Sequence, residues 1–238
     1  MPRTNDISRL ADWEAYLQEK LCSCANTLKI PSPAWLIRCY AQTTSTMDAA
    51  REFLDEVTPQ RPALVIAQTQ TAGRGRRGRR WEQARSGLYL TAVFAAEKPP
   101  SHIGAFAPTL GCVLFDFFSA YACAVKIKWP NDMWSIDGRK IAGVLIESAC
   151  HQNLTHILVG IGINLIGAPA SVLHAVSIQE LCGVALTPVQ AATHLAPALW
   201  RAWRIFIECG FAPFKESWLS HAMFIGEEVK IHTDDAVT

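Results

Sequence analysis

With 238 residues, of which 50% are hydrophobic and 18% charged, the chain has the make-up of one large globular domain or one domain with a small appendage. Two full domains and disordered, collagen-like or coiled-coil chains are excluded. Lys and Arg number 22 against 21 Asp and Glu, a formal net charge of +1, so the surface as a whole is not built for nucleic acid or anionic lipid and any basic function is local.

The first residues, MPRTNDISRLADWEAYLQEK, carry acidic groups where a signal peptide needs an apolar stretch, which predicts a cytoplasmic protein. The eight cysteines form no CxxC, and reduced thiols are expected. Residues 1–34 read as a helical lead-in ending at Pro31 and Pro33, and the main domain, 35–222, begins at Trp35. WLIRCYAQT is strand-like, TSTMDAAREFLDEV reads as a helix entered through Ser45 or Thr46, and ALVIAQTQ after Pro62 is a second strand. Then comes TAGRGRRGRR, residues 71–80, with five arginines in seven residues interleaved with Gly73, Gly75 and Gly78. Such a segment cannot pack in a core, and an exposed, mobile loop is expected.

GLYLTAVF returns to strand, and an apolar run from Pro108 gives a helix. From Gly104 to Val125 the single charge is Asp116. A bilayer span needs about 20 apolar residues, but Pro108 and a near-central carboxylate favour a buried helix over a membrane span. VKIKWPNDMWSIDGRKIAGVLIES gives two strands joined by a turn-rich connector, HILVGIGINL is a buried strand closing at Asn164, and LTPVQAATHLAPALWRAWRIFIE is helical. Strands and helices mix without strict alternation, so the fold class is α+β, with one mixed sheet flanked by helices.

Gly73-Arg-Gly75-Arg-Arg-Gly78 satisfies GxGxxG but is not a dinucleotide fingerprint. That motif relies on a helix N-terminus for its positive field, whereas here arginine side chains carry the charge and a strand follows closely. A P-loop is excluded by the absence of GK[ST]. The loop is suited to wrapping an anion. Its rivals are a solvated charge cluster and a nucleic-acid-binding segment. Other polar signals stand at strand ends: Ser45 and Thr46, Gln70, the run Lys128-Trp129-Pro130-Asn131-Asp132, Lys140 and Asn164. No histidine spacing matches a zinc site.

Five ordered blocks, TSTMDAA (44–50), QTAGRGRRGRRW (70–81), KWPND (128–132), GRKIAGVLIE (138–147) and VGIGINL (159–165), resemble the biotin protein ligases, or biotin-[acetyl-CoA-carboxylase] ligases, over residues 35–218. The resemblance implies a catalytic domain like that of the class II aminoacyl-tRNA synthetases. It also implies ATP-dependent formation of biotinyl-5'-AMP and transfer of biotin to a lysine of a biotin carboxyl carrier protein. By the same resemblance Ser45, Thr46, Met47 and Gln70 hold biotin, while Arg74, Gly75, Arg76 and Lys140 bind its carboxyl-phosphate junction, with Arg74, Arg76 and Lys140 as the catalytic cations. Trp81, Asn131 and Asn164 fall on the nucleotide side, and Asp132 is the carboxylate for Mg2+. Met47 stands where the family often has Asn. Neither DNA nor a membrane is an expected partner, and monomer and homodimer both stay open.

Each assignment has a simpler counterpart. Ser45 or Thr46 fits a helix cap, Asp132 a turn former and Trp81 ordinary packing. The 34 residues before Trp35 are too few for the winged helix-turn-helix of many relatives, and GEEVKIHTDDAVT provides one strand of the family's C-terminal SH3-like barrel, so residues 223–238 read as a remnant. A lipoate protein ligase shares the implied fold and chemistry, and a domain that forms the adenylate without carrier transfer is a further alternative.

Overall fold

The computed structural model describes residues 10–23, 32–98 and 102–229. Helix α1 (Leu10–Ser23) precedes strand β1 (Leu36–Thr43), short helix α2 (Thr46–Arg51) and strand β2 (Ala63–Gln70). Strand β3 (Ser86–Ala96) and helix α3 (Phe106–Ser119) lead into β4 (Val125–Lys128), β5 (Asp132–Ser135), β6 (Lys140–His151) and β7 (Leu154–Ile166). Helices α4 (Ile178–Cys182), α5 (Pro188–Cys209) and α6 (Lys215–His221) follow. The strands form one seven-stranded sheet in the order β1-β2-β3-β7-β6-β5-β4. Only β1 and β2 are parallel to each other, and the remaining neighbours are antiparallel. This is the mixed sheet flanked by helices that the sequence implies.

Period-two alternation gives the sheet its two faces. Leu64 and Ile66 of β2, Leu90, Ala92 and Phe94 of β3 and Ile161 and Ile163 of β7 point into the larger core. That core is covered by α1, α3 and α5, with Trp13, Leu17 and Leu21 of α1 buried in it. The N-terminal helix is therefore part of the domain's packing. Helix α5 explains itself from its sequence. Val189, Ala192, Ala196, Leu199, Trp203 and Phe206 recur at helical spacing and are all buried. Its start is fixed by a reciprocal cap between Thr187 and Gln190 with Pro188 at the first position. Trp203 stacks on Phe94 of β3 at 5.3 Å between centroids, anchoring helix to sheet.

On the opposite face a smaller core forms under α2, where Met47, Ala49 and Ala50 meet Val65, Val93 and Leu158. The rest of that face, over β6 and β7, carries glycines and stays open.

Several local expectations are corrected. The helix read across TSTMDAAREFLDEV stops at Arg51 and is followed by a separate 3-10 turn, Leu54–Glu56. The connector after Lys128 contains a strand, β5, because Met133 and Ser135 alternate inward with the solvent-side Asp132 and Trp134; the chain makes two hairpins there. Cys123 and Cys182 are paired as a disulfide, whereas reduced thiols were expected throughout, and Cys22, Cys39, Cys112, Cys150 and Cys209 are free. No strand and no barrel form between Met223 and Val229, and the remainder of the expected barrel remnant lies outside the described residues. Among the described residues no helix is long and apolar enough to cross a membrane.

Trp203 is buried to 1% exposure, so Trp203→Ala is expected to destabilise the fold by about 3–5 kcal/mol. Urea unfolding measures this, and a loss below about 1 kcal/mol would show that the α5 contact is not the main support of β3.

Candidate functional site

The open part of the second face is a cavity of about 970 Å3. Its floor is backbone. Gly143 of β6 pairs with Gly162 of β7, and Gly160 lies one alternation further along β7. A Cβ at Gly162 would come within 2.5 Å of Trp81 Cε2, and one at Gly160 within 2.9 Å of Met47 Sδ. Only glycine allows the indole and the thioether to lie against the strands.

At one end of the cavity, α2 and β2 supply polar atoms. Ser45 Oγ accepts from Met47 N at 3.3 Å and so caps α2, which is the simpler role foreseen for it, and it also lines the cavity. Gln70 Oε1 accepts from Thr46 N at 2.8 Å and Thr46 Oγ1 at 3.2 Å, and Thr91 Oγ1 donates to Thr46 Oγ1 at 2.9 Å. This buried network leaves the Gln70 side-chain amide nitrogen as a donor beside Gly73, whose added Cβ would meet it at 2.9 Å. Thr91 is a member that sequence reasoning missed. It sits inside an apolar strand run, with no local signal beyond its polarity.

At the other end stands a group of charges. Lys140 Nζ lies 2.7 Å from Asp132 Oδ1 and 5.4 Å from the centre of the Trp81 ring. Asp132 faces Gly143 across the β5–β6 ladder, which brings the lysine that opens β6 beside it. Lys128 Nζ sits 3.4 Å above the Trp134 ring. Burial holds the Lys128 ammonium below the ordinary lysine value; Asp132 opposes this and Lys140 adds to it. Two lysines share one carboxylate here, so the cluster retains a positive charge suited to phosphate.

The arginine loop crosses this face as a tight hairpin. Arg74 and Arg80 form an isolated antiparallel bridge, Gly75 N donates to Arg79 O at 2.7 Å and Trp81 N to Gly73 O at 2.9 Å. Arg77 at φ 56° and Gly78 at φ 71° make the turn at its tip. Arg76 Nη1 donates to Asn131 Oδ1 at 3.1 Å, joining the loop to the β4–β5 connection. Arg74 Nη2 lies 2.8 Å from Asp48 Oδ1 and 3.5 Å from Glu147 Oε2.

Ser45, Thr46, Met47, Gln70, Arg74, Gly75, Arg76, Trp81, Asn131, Asp132 and Lys140 thus all line one cavity, although they come from four separate sequence blocks. Asn164 does not line it. Its Nδ2 donates to Val176 O at 3.1 Å, and its Oδ1 is buried without a protein partner. The segment after α6 was not anticipated as a wall of the cavity, yet Met223, Phe224 and Ile225 line it. Nothing local signals this, because the contact depends on where α6 ends.

Residues 39–164, more than half of the chain, match the Biotin/lipoate A/B protein ligase family, and the chain belongs to that family. It is 34% identical over 185 residues to a biotin--[acetyl-CoA-carboxylase] ligase of Paracoccus denitrificans, covering 73% of this chain and 76% of that protein. To the bifunctional ligase/repressor BirA of Escherichia coli it is 33% identical over 177 residues, 71% of this chain, and it spans only 54% of that relative's length. The biotin protein ligase of Aquifex aeolicus in complex with biotin and ATP superposes with a TM-score of 0.66 at 25% identity, covering 83% of each chain. The Leishmania major biotin protein ligase in complex with biotinyl-5-AMP gives a TM-score of 0.65 at 26% identity, covering 86% of this chain and 85% of that one.

Gln70→Leu removes the acceptor of two hydrogen bonds in a buried setting, and a loss of about 1–3 kcal/mol is expected. Denaturant midpoints check this; an unchanged midpoint would mean that the Thr46 donors find other partners.

Proposed function

We propose that the protein is a biotin-[acetyl-CoA-carboxylase] ligase. It uses ATP to convert biotin to biotinyl-5'-AMP, then passes the biotinyl group to a specific lysine of a biotin carboxyl carrier protein. The observation that carries this reading is the single cavity in which a buried amide and hydroxyl network at one end faces a cluster of Arg and Lys at the other. The biotin ligases among its relatives support it.

In this reading Ser45, Thr46, Met47 and Gln70 hold biotin. The polar atoms of Thr46 and Gln70 meet the ureido group and the Met47 thioether meets its apolar body. Arg74, Gly75, Arg76 and Lys140 surround the carboxyl-phosphate junction. Trp81 and Asn131 serve the nucleotide, Trp81 offering a ring face, whereas Asn164, expected beside them, holds Val176 O outside the cavity wall and acts at most by supporting that wall.

In the first step a biotin carboxylate oxygen bonds to the α-phosphorus and pyrophosphate leaves. Negative charge accumulates on the phosphoryl oxygens, and fixed cations lower that barrier. Lys140 is placed for this by Asp132, which holds the ammonium over the cavity floor. In the second step an uncharged lysine amine attacks the acyl carbon, AMP leaves with the bonding pair and the amine loses a proton. No enzyme nucleophile is required.

Among the described residues no group of three or more metal-binding side chains occurs. Mg2+ commonly takes one or two carboxylates together with substrate phosphates, and Asp132 is the residue that would meet it, the ion supplying neutralisation of phosphate charge. ATP and a carrier protein as substrates also support a cytoplasmic setting.

Biotin-dependent ATP–pyrophosphate exchange, followed by transfer of labelled biotin to a carrier domain, tests the proposal; exchange with lipoate and none with biotin would overturn it. Within the same assay Lys140→Ala is expected to lower the exchange rate by about 10²- to 10³-fold, as loss of one transition-state charge stabiliser does. Near-normal exchange by the folded variant would remove Lys140 from the chemistry.

A further inference from the structure

Five arginines packed into a hairpin repel one another, so a loop of this composition needs counter-charges to hold one shape. Three of its residues have identified fastenings. Arg80 Nη2 donates to Thr71 O at 3.0 Å, within the loop's own base. Arg76 reaches Asn131, a neutral partner. Arg74 meets two carboxylates from other elements, Asp48 of α2 at 2.8 Å and Glu147 of β6 at 3.5 Å. Glu147 is itself held by Arg51 Nη2 at 2.6 Å. Asp48 and Arg51 are one turn apart on α2, so the four side chains close a ring that runs from α2 to the loop, to β6 and back to α2.

We propose that Asp48 and Glu147 are positioning residues. They clamp the Arg74 guanidinium and so hold the arginine loop against the cavity. The consequence drawn below for adenylate retention rests on the ligase reading, whereas the clamp does not.

The geometry favours a role in loop placement over a role in general stability. All four side chains are between 28% and 43% exposed, a setting in which an isolated ion pair contributes little to folding. A loop that opens and closes is governed by a small free energy, however, so modest contacts decide its population. Two carboxylates on one guanidinium are such contacts, and the reciprocal Arg51 bond keeps Glu147 from swinging away. Neither Asp48 nor Glu147 lines the cavity, so both act through Arg74. When the loop is closed, Arg74 and its neighbours exclude water from a bound acyl-phosphate anhydride, which hydrolyses when water enters.

The test uses the full chain and limited trypsin, which cuts after arginine. In Asp48→Asn with Glu147→Gln, shape is kept and both charges are lost. The ligand-free double variant is expected to be cut between Arg74 and Arg80 about fivefold faster than the unaltered protein, about 1 kcal/mol on the scale where tenfold is ~1.4 kcal/mol. Its thermal midpoint should move by no more than about 2–4 °C. Raising the salt from about 0.05 to about 0.5 M, which shortens the screening length to well under 10 Å, should accelerate loop cleavage of the unaltered protein and leave the double variant nearly unaffected. Asp48→Glu, which keeps the charge, should retain the protection.

With biotin and ATP, the double variant should release its adenylate about fivefold faster, read as increased labelling of bystander lysines. Equal loop cleavage in the folded double variant and the unaltered protein overturns the clamp. Faster loop cleavage in the variant, together with no biotin-dependent pyrophosphate exchange by the unaltered protein, supports the clamp and overturns the ligase reading instead.

Discussion

A bare stretch of sheet is the constraint on which the rest of the site depends. Strand β7 runs Gly160-Ile161-Gly162-Ile163, and the alternation sends isoleucine into the main core while leaving glycine on the opposite face. Gly143 on β6 extends the bare surface across the ladder. Glycine in a strand interior weakens the strand, and the weakness is offset by position: β7 is flanked on both sides by long antiparallel partners, β3 and β6. With side chains there, Trp81 and Met47 would be displaced, and the polar and charged ends of the cavity would no longer face one another across open space. One strand thus supplies both a core face and a binding floor.

Charge is distributed on the same plan. The chain is nearly neutral overall, yet cations gather on one face because elements far apart in sequence converge there: the loop after β2, Lys128 at the end of β4 and Lys140 at the start of β6. Their partners are chosen asymmetrically. Asp132 holds Lys140 beside the floor, while Asp48 and Glu147 lie outside the cavity and engage Arg74 from its far side. Cations on the cavity side are left with fewer carboxylates than their number, and this is the electrostatic condition for accepting an anion.

Much of this was legible in the sequence because the features concerned are local. The arginine-glycine run and the helical pattern of α5 each state their physical role locally, and the eleven anticipated site residues that line the cavity belong to similarly local runs. What stayed hidden depends on tertiary placement. Strand β5 is four residues long and hides within turn formers, so only its ladders to β4 and β6 define it. The Cys123–Cys182 pairing joins residues 59 apart, a proximity set by how α4 returns over β7. Strand β7 runs on to Ile166, past the close expected at Asn164, and the Asn164 side chain turns to Val176 rather than to the cavity. The partners of Arg74 lie on α2 and β6, and neither segment carries a mark that links it to the loop.

The two edges of the sheet show how its protection and the cavity are connected. An open sheet presents unpaired backbone groups at each edge strand, here β1 and β4. At β1 a side chain does the covering, because Glu14 Oε1 of α1 accepts from Cys39 N at 2.8 Å. At β4 the backbone after α6 does it. Ala222 bridges Ile127 in parallel, and Met223 N donates to Ile127 O at 2.8 Å. That second contact directs the chain past the end of β4, so that Phe224 and Ile225 become part of the cavity wall. Phe224, at φ 65°, takes a backbone conformation rare for a bulky residue, and the turn there sends the following residues along the cavity mouth. Covering the β4 edge and walling the cavity are therefore one interaction. A change that frees residues 222 and 223 from Ile127 exposes both an unpaired strand and the site beside it.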